Sequence, residues 1–332
     1  MDTPNVAIIG AGVAGLACAR ALREAGAEVG IYDKGRGPGG RCSTRRSPFG
    51  LFDHGAQFFT VRDERFRARV EAWRDAGVAA RWEGRHVEIE DGAAHPYDGD
   101  TRWIGAPAMN AFVRHEAEAV EAQFGLRLGR PARTGRTRRW ALTGEGGQSA
   151  WEADWVVLAV PAEQVADLMP TAAQGGSDSL AAEARAARSE PTWTLMAAFE
   201  GGEAAPFDAA SVRGHDLAWI SREASKPGRA EGARWVAHAS SAWSEAHLED
   251  DEDAVVSALT DRLRDVVGEG APLAHADVHR WRYAQVAETA DEPFGLDADV
   301  GLATCGDWRI APRVESAWVS GDALGRALAE RL

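Results

Sequence analysis

The sequence VAIIGAGVAG at positions 6–15 decides the fold of this chain of 332 residues. A short apolar run is followed by the GxGxxG pattern of Gly10, Gly12 and Gly15, and apolar residues then recur at helical spacing. This pattern predicts a buried strand, a tight turn and a helix. The first glycine permits the turn, the second lets a phosphate approach the backbone, and the third allows the helix to pack closely on the strand.

An acidic residue ends the next predicted strand and adds a ligand to the pattern. Asp33 lies 23 residues after Gly10, where a carboxylate can accept hydrogen bonds from a ribose diol. The first turn of the helix, which contains Ala14, presents free N–H groups and the positive end of the helix dipole to phosphates. We therefore predict a Rossmann-type α/β domain that binds a dinucleotide, with FAD and NAD both open on this motif alone.

A second glycine-rich segment favours FAD over NAD. The sequence KGRGPGGR at 34–41 follows Asp33 directly, and its glycines let a second stretch of backbone approach an extended ligand. Arg41 can reach phosphate or ring oxygens. We predict cofactor contacts from Lys34, Arg36, Gly40 and Arg41.

Three further segments complete the predicted cofactor site. The sequence DHGAQFF at 53–59 places a small-residue turn and aromatic residues where a flavin ring can lie. Near the C-terminus, a glycine and an aspartate follow an apolar strand, and a closing helix can point its N-terminus at the pyrimidine end of the flavin. The residues assigned to these contacts are Ala56, Gln57, Phe58, Gly306, Asp307 and Val314.

Composition excludes several classes of protein. The chain carries 37 Lys and Arg against 51 Asp and Glu, a net charge of −14. Such acidity argues against nucleic acid and anionic membranes as partners, and no apolar run is long enough for a membrane span. The start of the chain does not resemble a secretory signal, so we expect a cytoplasmic protein. The three cysteines fit neither a zinc site nor a disulfide framework, so no metal is expected.

The middle of the chain predicts a second domain. Apolar strands at 192–199, 217–221 and 234–239 suit one sheet, and an amphipathic helix follows at 251–267. We predict an inserted substrate domain with a mixed sheet and helices. The predicted segments are 1–62, 105–170 and 275–332 for a discontinuous FAD-binding domain, and 63–104 and 171–274 for the substrate domain.

The motifs resemble those of known flavoproteins. GAGVAGL with Asp33 and Lys34 is similar to the opening of the amine oxidase and protoporphyrinogen oxidase class. Longer motifs resemble the bacterial renalases across essentially the whole chain. These motifs are RGPGGRCSTRR (36–46), FDHGAQFFT (52–60), TRWIGAPAMN (101–110), SKP (225–227), WVAHASSAWS (235–244), HRWRYA (279–284), CGDW (305–308) and RVESAWVSG (313–321).

The resemblance implies a fold, a cofactor and a reaction. It implies a p-hydroxybenzoate-hydroxylase-like arrangement, with a sheet of the substrate domain over the flavin. It also implies an FAD-dependent oxidase that converts the 2- and 6-dihydro isomers of NAD(P) to NAD(P)+ and reduces O2 to hydrogen peroxide. No cysteine stands at a position for which covalent attachment to the flavin can be argued. Cys305, directly before Gly306, is the one that comes closest. We therefore expect the FAD to be bound noncovalently.

The lysines bear on the choice between this reaction and amine oxidation. Many amine oxidases of this class place a lysine near flavin N5 on a strand of the substrate domain. The predicted strand at 191–199 contains no lysine, and Lys226 lies in a Ser-Lys-Pro-Gly turn where we expect it to be exposed. Hydride transfer from a dihydropyridine needs no deprotonation of the donor, only a ring held flat at near-attack distance.

Four residues are candidates for holding that ring. Trp faces can stack on a nicotinamide, and a histidine in an apolar strand can point into a site. We assign this role to Trp193, His238, Trp281 and Arg282. The alternatives that stay open are an amine oxidase or desaturase, a flavoprotein without turnover, and an NAD-dependent dehydrogenase. No oligomeric state is predicted.

Overall fold

Two large β-sheets organise the chain in the computed structural model, which describes residues 4–133, 139–145, 147, 150–201, 205–268, 270–290 and 292–332. The strands are β1 (Asn5–Ile9), β2 (Glu28–Tyr32), β3 (Thr44–Ser47), β4 (Gly50–Asp53), β5 (Ala79–Arg81), β6 (His86–Glu90), β7 (Ala93–Pro96), β8 (Trp103–Gly105), β9 (Ala132–Arg133), β10 (Trp140–Thr143), β11 (Ala150–Ala153), β12 (Trp155–Leu158), β13 (Arg188–Phe199), β14 (Ala209–Val212), β15 (Leu217–Arg222), β16 (Arg234–Ala239), β17 (Leu273–Glu288), β18 (Gly295–Asp297) and β19 (Leu302–Thr304). The helices are α1 (Val13–Glu24), α2 (Glu64–Asp75), α3 (Ala111–Ala119), α4 (Ala162–Leu168), α5 (Asp178–Ala186), α6 (Ser241–Ala246), α7 (Glu252–Val267) and α8 (Val314–Ala329).

The first sheet joins both ends of the chain. Its five strands run in the order β18-β19-β12-β1-β2, and the last four are parallel. Helices α1 and α8 pack against each other through small residues. A Cβ on Gly321 would stand 2.0 Å from the carbonyl oxygen of Ala14. This confirms the predicted α/β fold, with its first and last segments in one parallel sheet.

The second sheet has seven strands in the order β17-β13-β16-β15-β14-β6-β7. The three strands predicted to share a sheet are its neighbours β13, β16 and β15, paired antiparallel. Strand β17 extends it, whereas the predicted boundary placed residues from 275 onward in the other domain. Polar and aromatic residues alternate along β17, so it lacks the apolar run by which the other strands were predicted. It nevertheless pairs with β13 along most of its length.

Helix α2 also differs from the predicted boundary, which put residues 63–104 in the substrate domain. Its buried residues Phe66, Val70 and Trp73 belong to the core around α1 and α8. The rings of Trp73 and Phe112 of α3 lie 4.7 Å apart. The apolar side of α2 is therefore buried on the side of the nucleotide-binding sheet.

The two faces of the seven-stranded sheet have different neighbours, because side chains alternate along each strand. One face carries Leu195, Ala237 and Ile220 and packs with α7 in an apolar core. On the other face, His238 of β16 lies opposite both Thr194 of β13 and Trp219 of β15. We call this second side the site face, because it turns toward residues 53–58.

Candidate cofactor and substrate site

The glycine turn after β1 leaves space beside the start of α1. Gly10 has a φ of +109°, and a Cβ there would stand 2.4 Å from the Ala159 carbonyl oxygen. In contrast, no described atom lies within 4 Å of a Cβ built on Gly12. Among the described side chains none caps α1, and its first turn has no acidic residue. This open turn with free N–H groups fits a pyrophosphate, and Ala14 and Gly15 lie in the same turn of helix.

Asp33 connects the two glycine-rich segments. Its carboxylate accepts hydrogen bonds from the backbone N–H of Ala11 at 2.8 Å and of Gly35 at 2.6 Å. Each oxygen keeps a lone pair for a ribose hydroxyl. Lys34 donates to Gln164 at 2.8 Å, and Arg36 is exposed. Of the three predicted contacts at this end, only Asp33 lies directly at the glycine turn.

The second glycine segment lies beside the first. A Cβ on Gly40 would stand 3.9 Å from Cα of Gly12. The guanidinium of Arg41 donates to the carboxylate of Asp307 at 2.5 and 2.8 Å. Burial alone would lower the pKa of Arg41, but the carboxylate of Asp307 outweighs this effect, so the pKa of Arg41 is raised. The structure thus brings Arg41 and Asp307, from the two ends of the chain, into contact.

The C-terminal part of this region is anchored to α8. The backbone N–H of Gly306 donates to the hydroxyl of Ser320 at 2.9 Å. Val314 is the first residue of the helix, and among the described residues no side chain caps that end. Glu315 accepts the backbone N–H of Asp63 at 2.8 Å. Because no described side chain caps it, the N-terminus of α8 keeps backbone N–H groups for a ligand.

Residues 53–58 run between the glycine segments and the site face. The backbone N–H of Ala56 donates to the carbonyl of Arg41 at 2.8 Å, and the Phe58 ring lies 5.1 Å from that of Trp219. A Cβ on Gly55 would stand 2.0 Å from the Arg41 carbonyl oxygen. Only glycine permits this close approach.

The amide of Gln57 has a fixed orientation. Its Oε1 accepts the hydroxyl of Ser221 at 2.7 Å and Nζ of Lys226 at 3.1 Å. Its Nε2 donates to the carbonyl oxygens of Asp53 and Gly55 and lies 3.4 Å from Nε2 of His238. Because both donors fall on Oε1, the NH2 group must face His238.

Lys226 is buried, which corrects the prediction of an exposed turn. The residue is only 2% exposed, and its side chain is fully buried. Nζ lies 2.5 Å from Glu223 and 3.2 Å from Asp53, and Arg229 donates to Asp53 at 2.5 Å. The turn after β15 folds inward because these two carboxylates, one from the distant strand β4, attract its cations. We call Asp53, Glu223, Lys226 and Arg229 the buried charge cluster.

The buried charge cluster is electrically balanced, with two acids and two bases. Burial alone would raise the pKa of Asp53, but Lys226 and Arg229 outweigh it and lower the pKa to about 2. Burial raises the pKa of Glu223 despite the same cations. The cluster joins β4 to the turn after β15 and fixes the position of Gln57 between them.

Two histidines of the site are neutral at pH 7. Burial, with the charge of Lys226, lowers the pKa of His238 to about 4. Burial, with His279 and Arg45, lowers the pKa of His54 to about 3. The site therefore offers uncharged imidazoles as hydrogen-bonding groups.

Two of the four predicted substrate residues lie together on the site face. Trp281 stacks on His54 with ring centroids 5.3 Å apart, and its indole N–H donates to the His54 carbonyl at 2.9 Å. His238 lies beside Gln57, which belongs to segment 53–58 as His54 does. Thr194 of β13 lies opposite His238 on one side and His279 on the other, and its hydroxyl has no hydrogen-bond partner within the described residues.

The other two predicted residues, Trp193 and Arg282, lie on the opposite face. Trp193 is 1% exposed, and its indole donates to the carbonyl of His247 at 2.9 Å. The Arg282 side chain is 43% exposed and pairs with Glu249 at 2.6 Å. Side chains of a strand point alternately to its two faces. Trp193 is adjacent to Thr194 and Arg282 is adjacent to Trp281, so both point away from the site face. This corrects their assignment to the substrate pocket.

The region contains groups that the sequence patterns did not indicate. Ser221 and Trp219 alternate along β15 and so share the site face with His238. Among the described residues, no cluster of three or more His, Cys, Asp and Glu could hold a metal. In the same part of the chain, no helix is both long enough and apolar enough to cross a membrane.

Comparisons with known proteins agree with this geometry. A family of NAD(P)-binding Rossmann-like domains matches residues 8–73. A protein from Exiguobacterium sp. 255-15, provisionally described as a protoporphyrinogen oxidase, superimposes with a TM-score of 0.80 at 13% identity, covering 100% of each chain. Cyclohexylamine oxidase from Brevibacterium oxydans IH-35A gives 0.73 at 14% identity over 99% of each chain. Putrescine oxidase bound to putrescine gives 0.68 at 15% identity over 99% of this chain and 98% of its own. The chain thus has the fold of the flavin amine oxidases, with a Rossmann-like domain at its N-terminus.

Proposed function

We propose that this protein is an FAD-dependent oxidase of the 2- and 6-dihydro isomers of NAD(P), related in activity to the bacterial renalases. The observation that carries the proposal is the site face. There a neutral His238, the indole of Trp281 and the hydroxyl of Thr194, which has no partner among the described residues, share one face of the sheet opposite residues 53–58. These groups suit a flat, uncharged carboxamide-bearing ring better than a cationic amine.

The cofactor would be held noncovalently by the residues around the glycine turns. The open space at Gly12 fits the pyrophosphate, Asp33 fits a ribose diol, and Arg41 with Asp307 offers charged partners for polar oxygens. Cys305 is fully buried at the end of β19. Bound FAD would accept a hydride from the substrate, and this hydride with one proton would convert O2 to hydrogen peroxide.

The residues of the site face would orient the donor ring. Trp281 is braced by His54 through a ring contact and a hydrogen bond. His238 is braced by Gln57, whose amide is itself fixed by Ser221 and Lys226. Because the donor loses a hydride and no separate proton, a site of neutral groups suffices.

Amine oxidation or desaturation is the second candidate. It is favoured by two amine oxidases among the structural neighbours. Strand β13 contains no lysine, but Lys226 is buried 3.1 Å from Gln57. The absence of a lysine from β13 therefore argues less strongly against an amine oxidase than the sequence patterns indicate.

We expect anaerobic flavin reduction by 2- or 6-dihydro-NAD(P) to be at least about 100-fold faster than by 4-dihydro-NADH or simple monoamines. The isomers differ in which ring carbon carries the hydride, and a misplacement of about 1 Å costs roughly 100-fold. Stopped-flow absorbance without oxygen measures this. Flavin bands in the purified protein must come first, since their absence would favour an NAD-only dehydrogenase, and a flavin that no donor reduces would indicate a protein without turnover.

Matched variants test the site within the same experiment. Trp281→Ala and His238→Ala should slow reduction by the dihydro isomers, whereas Arg282→Gln, on the opposite face of the same strand, should leave the rate unchanged. Faster reduction by any amine than by every dihydro isomer would establish the amine oxidase alternative instead.

We expect Asp33→Ala to weaken FAD binding by about 1.5–3 kcal/mol, because a charged acceptor is lost. The carboxylate also holds Ala11 and Gly35, so the cradle would loosen. Flavin content after dialysis and titration of the apoprotein with FAD measure the change. Glu28→Ala, which removes an exposed carboxylate at the start of the same strand β2, serves as the control. An Asp33→Ala variant with the affinity of the native protein would contradict the ribose assignment.

A further inference from the structure

Arg102 is a buried cation enclosed by aromatic rings. It is 3% exposed, and its guanidinium carbon lies 3.8 Å from the centre of the Tyr97 ring, 4.5 Å from that of Phe58 and 4.8 Å from that of Trp219. We call these three residues the aromatic box. Ring faces attract a cation but accept no conventional N–H···O hydrogen bonds.

Among the residues that the structure describes, no carboxylate lies within ion-pair distance of Arg102, and its Nε and Nη1 have no hydrogen-bond partner. Burial lowers the pKa of Arg102, and Tyr97 and Glu88 offset this effect only in part. Removing one partner of a buried ion pair is strongly destabilising, since a buried cation without an anion keeps its full desolvation penalty. Arg229, whose side chain is also buried, and the partly exposed Arg41 each pair with an aspartate.

Two more unpaired polar atoms belong to the aromatic box or its neighbours. Nε1 of Trp219, in the box itself, and Nε2 of the nearby His86 are buried without partners among the described residues. The rings of His86 and Trp82 lie 4.5 Å apart, and those of Trp82 and Trp219 lie 6.4 Å apart. Buried polar atoms without partners need an explanation, and a bound ion or ligand is one that suits several of them in one place.

The aromatic box adjoins the proposed substrate site. Trp219 lies opposite His238 in register, and Phe58 follows Gln57 in sequence. Adjacent strands are about 4.8 Å apart, so β15 lies about 14 Å from β17, which carries Trp281. A nucleotide whose ring lies between Trp281 and His238 can extend a phosphate toward Arg102.

We propose that Arg102 binds a phosphate group of the nucleotide substrate, with Tyr97 as a cover that the phosphate displaces. This inference rests on the proposed function for the identity of the substrate. Tyr97 belongs to the largely exposed segment 91–100, so its ring can leave the guanidinium without disturbing the core. Arginine suits phosphate because its N–H groups and permanent charge match the phosphate oxygens.

The first test needs no turnover. Calorimetric titration of the purified flavin-containing protein with sodium pyrophosphate should show one saturable site. Arg102→Gln should weaken this binding at least about tenfold, as expected for loss of a charged hydrogen bond. The control is Arg81→Gln, since Arg81 also lies over a ring, 5.2 Å from the centre of Trp103, but is exposed.

A second variant covers the case in which Arg102→Gln fails to fold, as judged by circular dichroism and flavin content. Tyr97→Ala removes the cover, so pyrophosphate should bind about threefold to tenfold more tightly because no cation–π contact has to be broken. Unchanged or weaker binding in Tyr97→Ala, or equal binding in Arg102→Gln and the native protein, would overturn the proposal. So would the absence of pyrophosphate binding to the native protein.

Kinetics then separate the phosphate site from the reaction. In Arg102→Gln, KM for 6-dihydro-NAD should rise about tenfold or more, while KM for the riboside of 6-dihydronicotinamide, which has no phosphate, should stay the same. An equal rise for both donors would contradict the proposal. If the native protein oxidises neither donor, the proposed function fails, and the pyrophosphate titration alone still decides the anion site.

Discussion

Lys226→Met is expected to lower the free energy of unfolding by about 3–5 kcal/mol, the usual loss when one member of a buried ion pair is removed. Nζ lies 2.5 Å from Glu223 and 3.2 Å from Asp53, and all three side chains are fully buried. Without Lys226 two carboxylates would share the single cation Arg229. Urea unfolding at pH 7, followed by tryptophan fluorescence, measures the loss.

The chain provides a matched control because its only other lysine is exposed. Lys34→Met should change stability by less than about 0.5 kcal/mol, as surface substitutions usually do. The double variant Glu223→Gln with Lys226→Met should recover part of the loss, since Asp53 and Arg229 then remain as a balanced pair. Equal stability of the two single lysine variants would show that the buried charge cluster is not ionised as described.

The beginning of the chain could be predicted because its signals are local. Strand, glycine turn, helix and Asp33 all lie within about thirty residues, and each fixes its neighbour through sterics or a backbone hydrogen bond. The second glycine segment was also predictable, since it follows Asp33 directly. Strands β13, β15 and β16 were visible as apolar runs that suit one sheet, but the position of β16 between the other two was not predicted.

The burial of Lys226 could not be predicted from its neighbours in sequence. A Ser-Lys-Pro-Gly turn is typical of a surface, and the partner that reverses this, Asp53, is 173 residues away. The face of β17 was hidden for a related reason. Because side chains alternate along a strand, Trp281 and Arg282 point to opposite sides of the sheet. Only the packing of α7 on one side decides which of the two faces residues 53–58.

The neutral histidines of the site predict how stability depends on pH. The pKa values of His238 and His54 are lowered from 6.5 to about 4 and about 3. In the unfolded chain each histidine takes up a proton as the pH falls below about 6.5, whereas in the folded protein neither does until about pH 4. Their contribution to stability is therefore fully present above pH 6.5 and is lost as the pH falls toward 4.

We expect this loss to reach about 2 kcal/mol for each histidine at pH 5, before most carboxylates titrate. His238→Gln and His54→Gln should each flatten the stability curve between pH 7 and pH 5, whereas His95→Gln, exposed on β7, should not. Urea unfolding at pH 7, 6 and 5 measures the three curves. A native protein equally stable at pH 7 and pH 5 would show that the imidazoles are solvated or already charged. If they are already charged, the site face carries positive charge at neutral pH, and the neutral-ring argument for a dihydronicotinamide substrate loses its electrostatic basis.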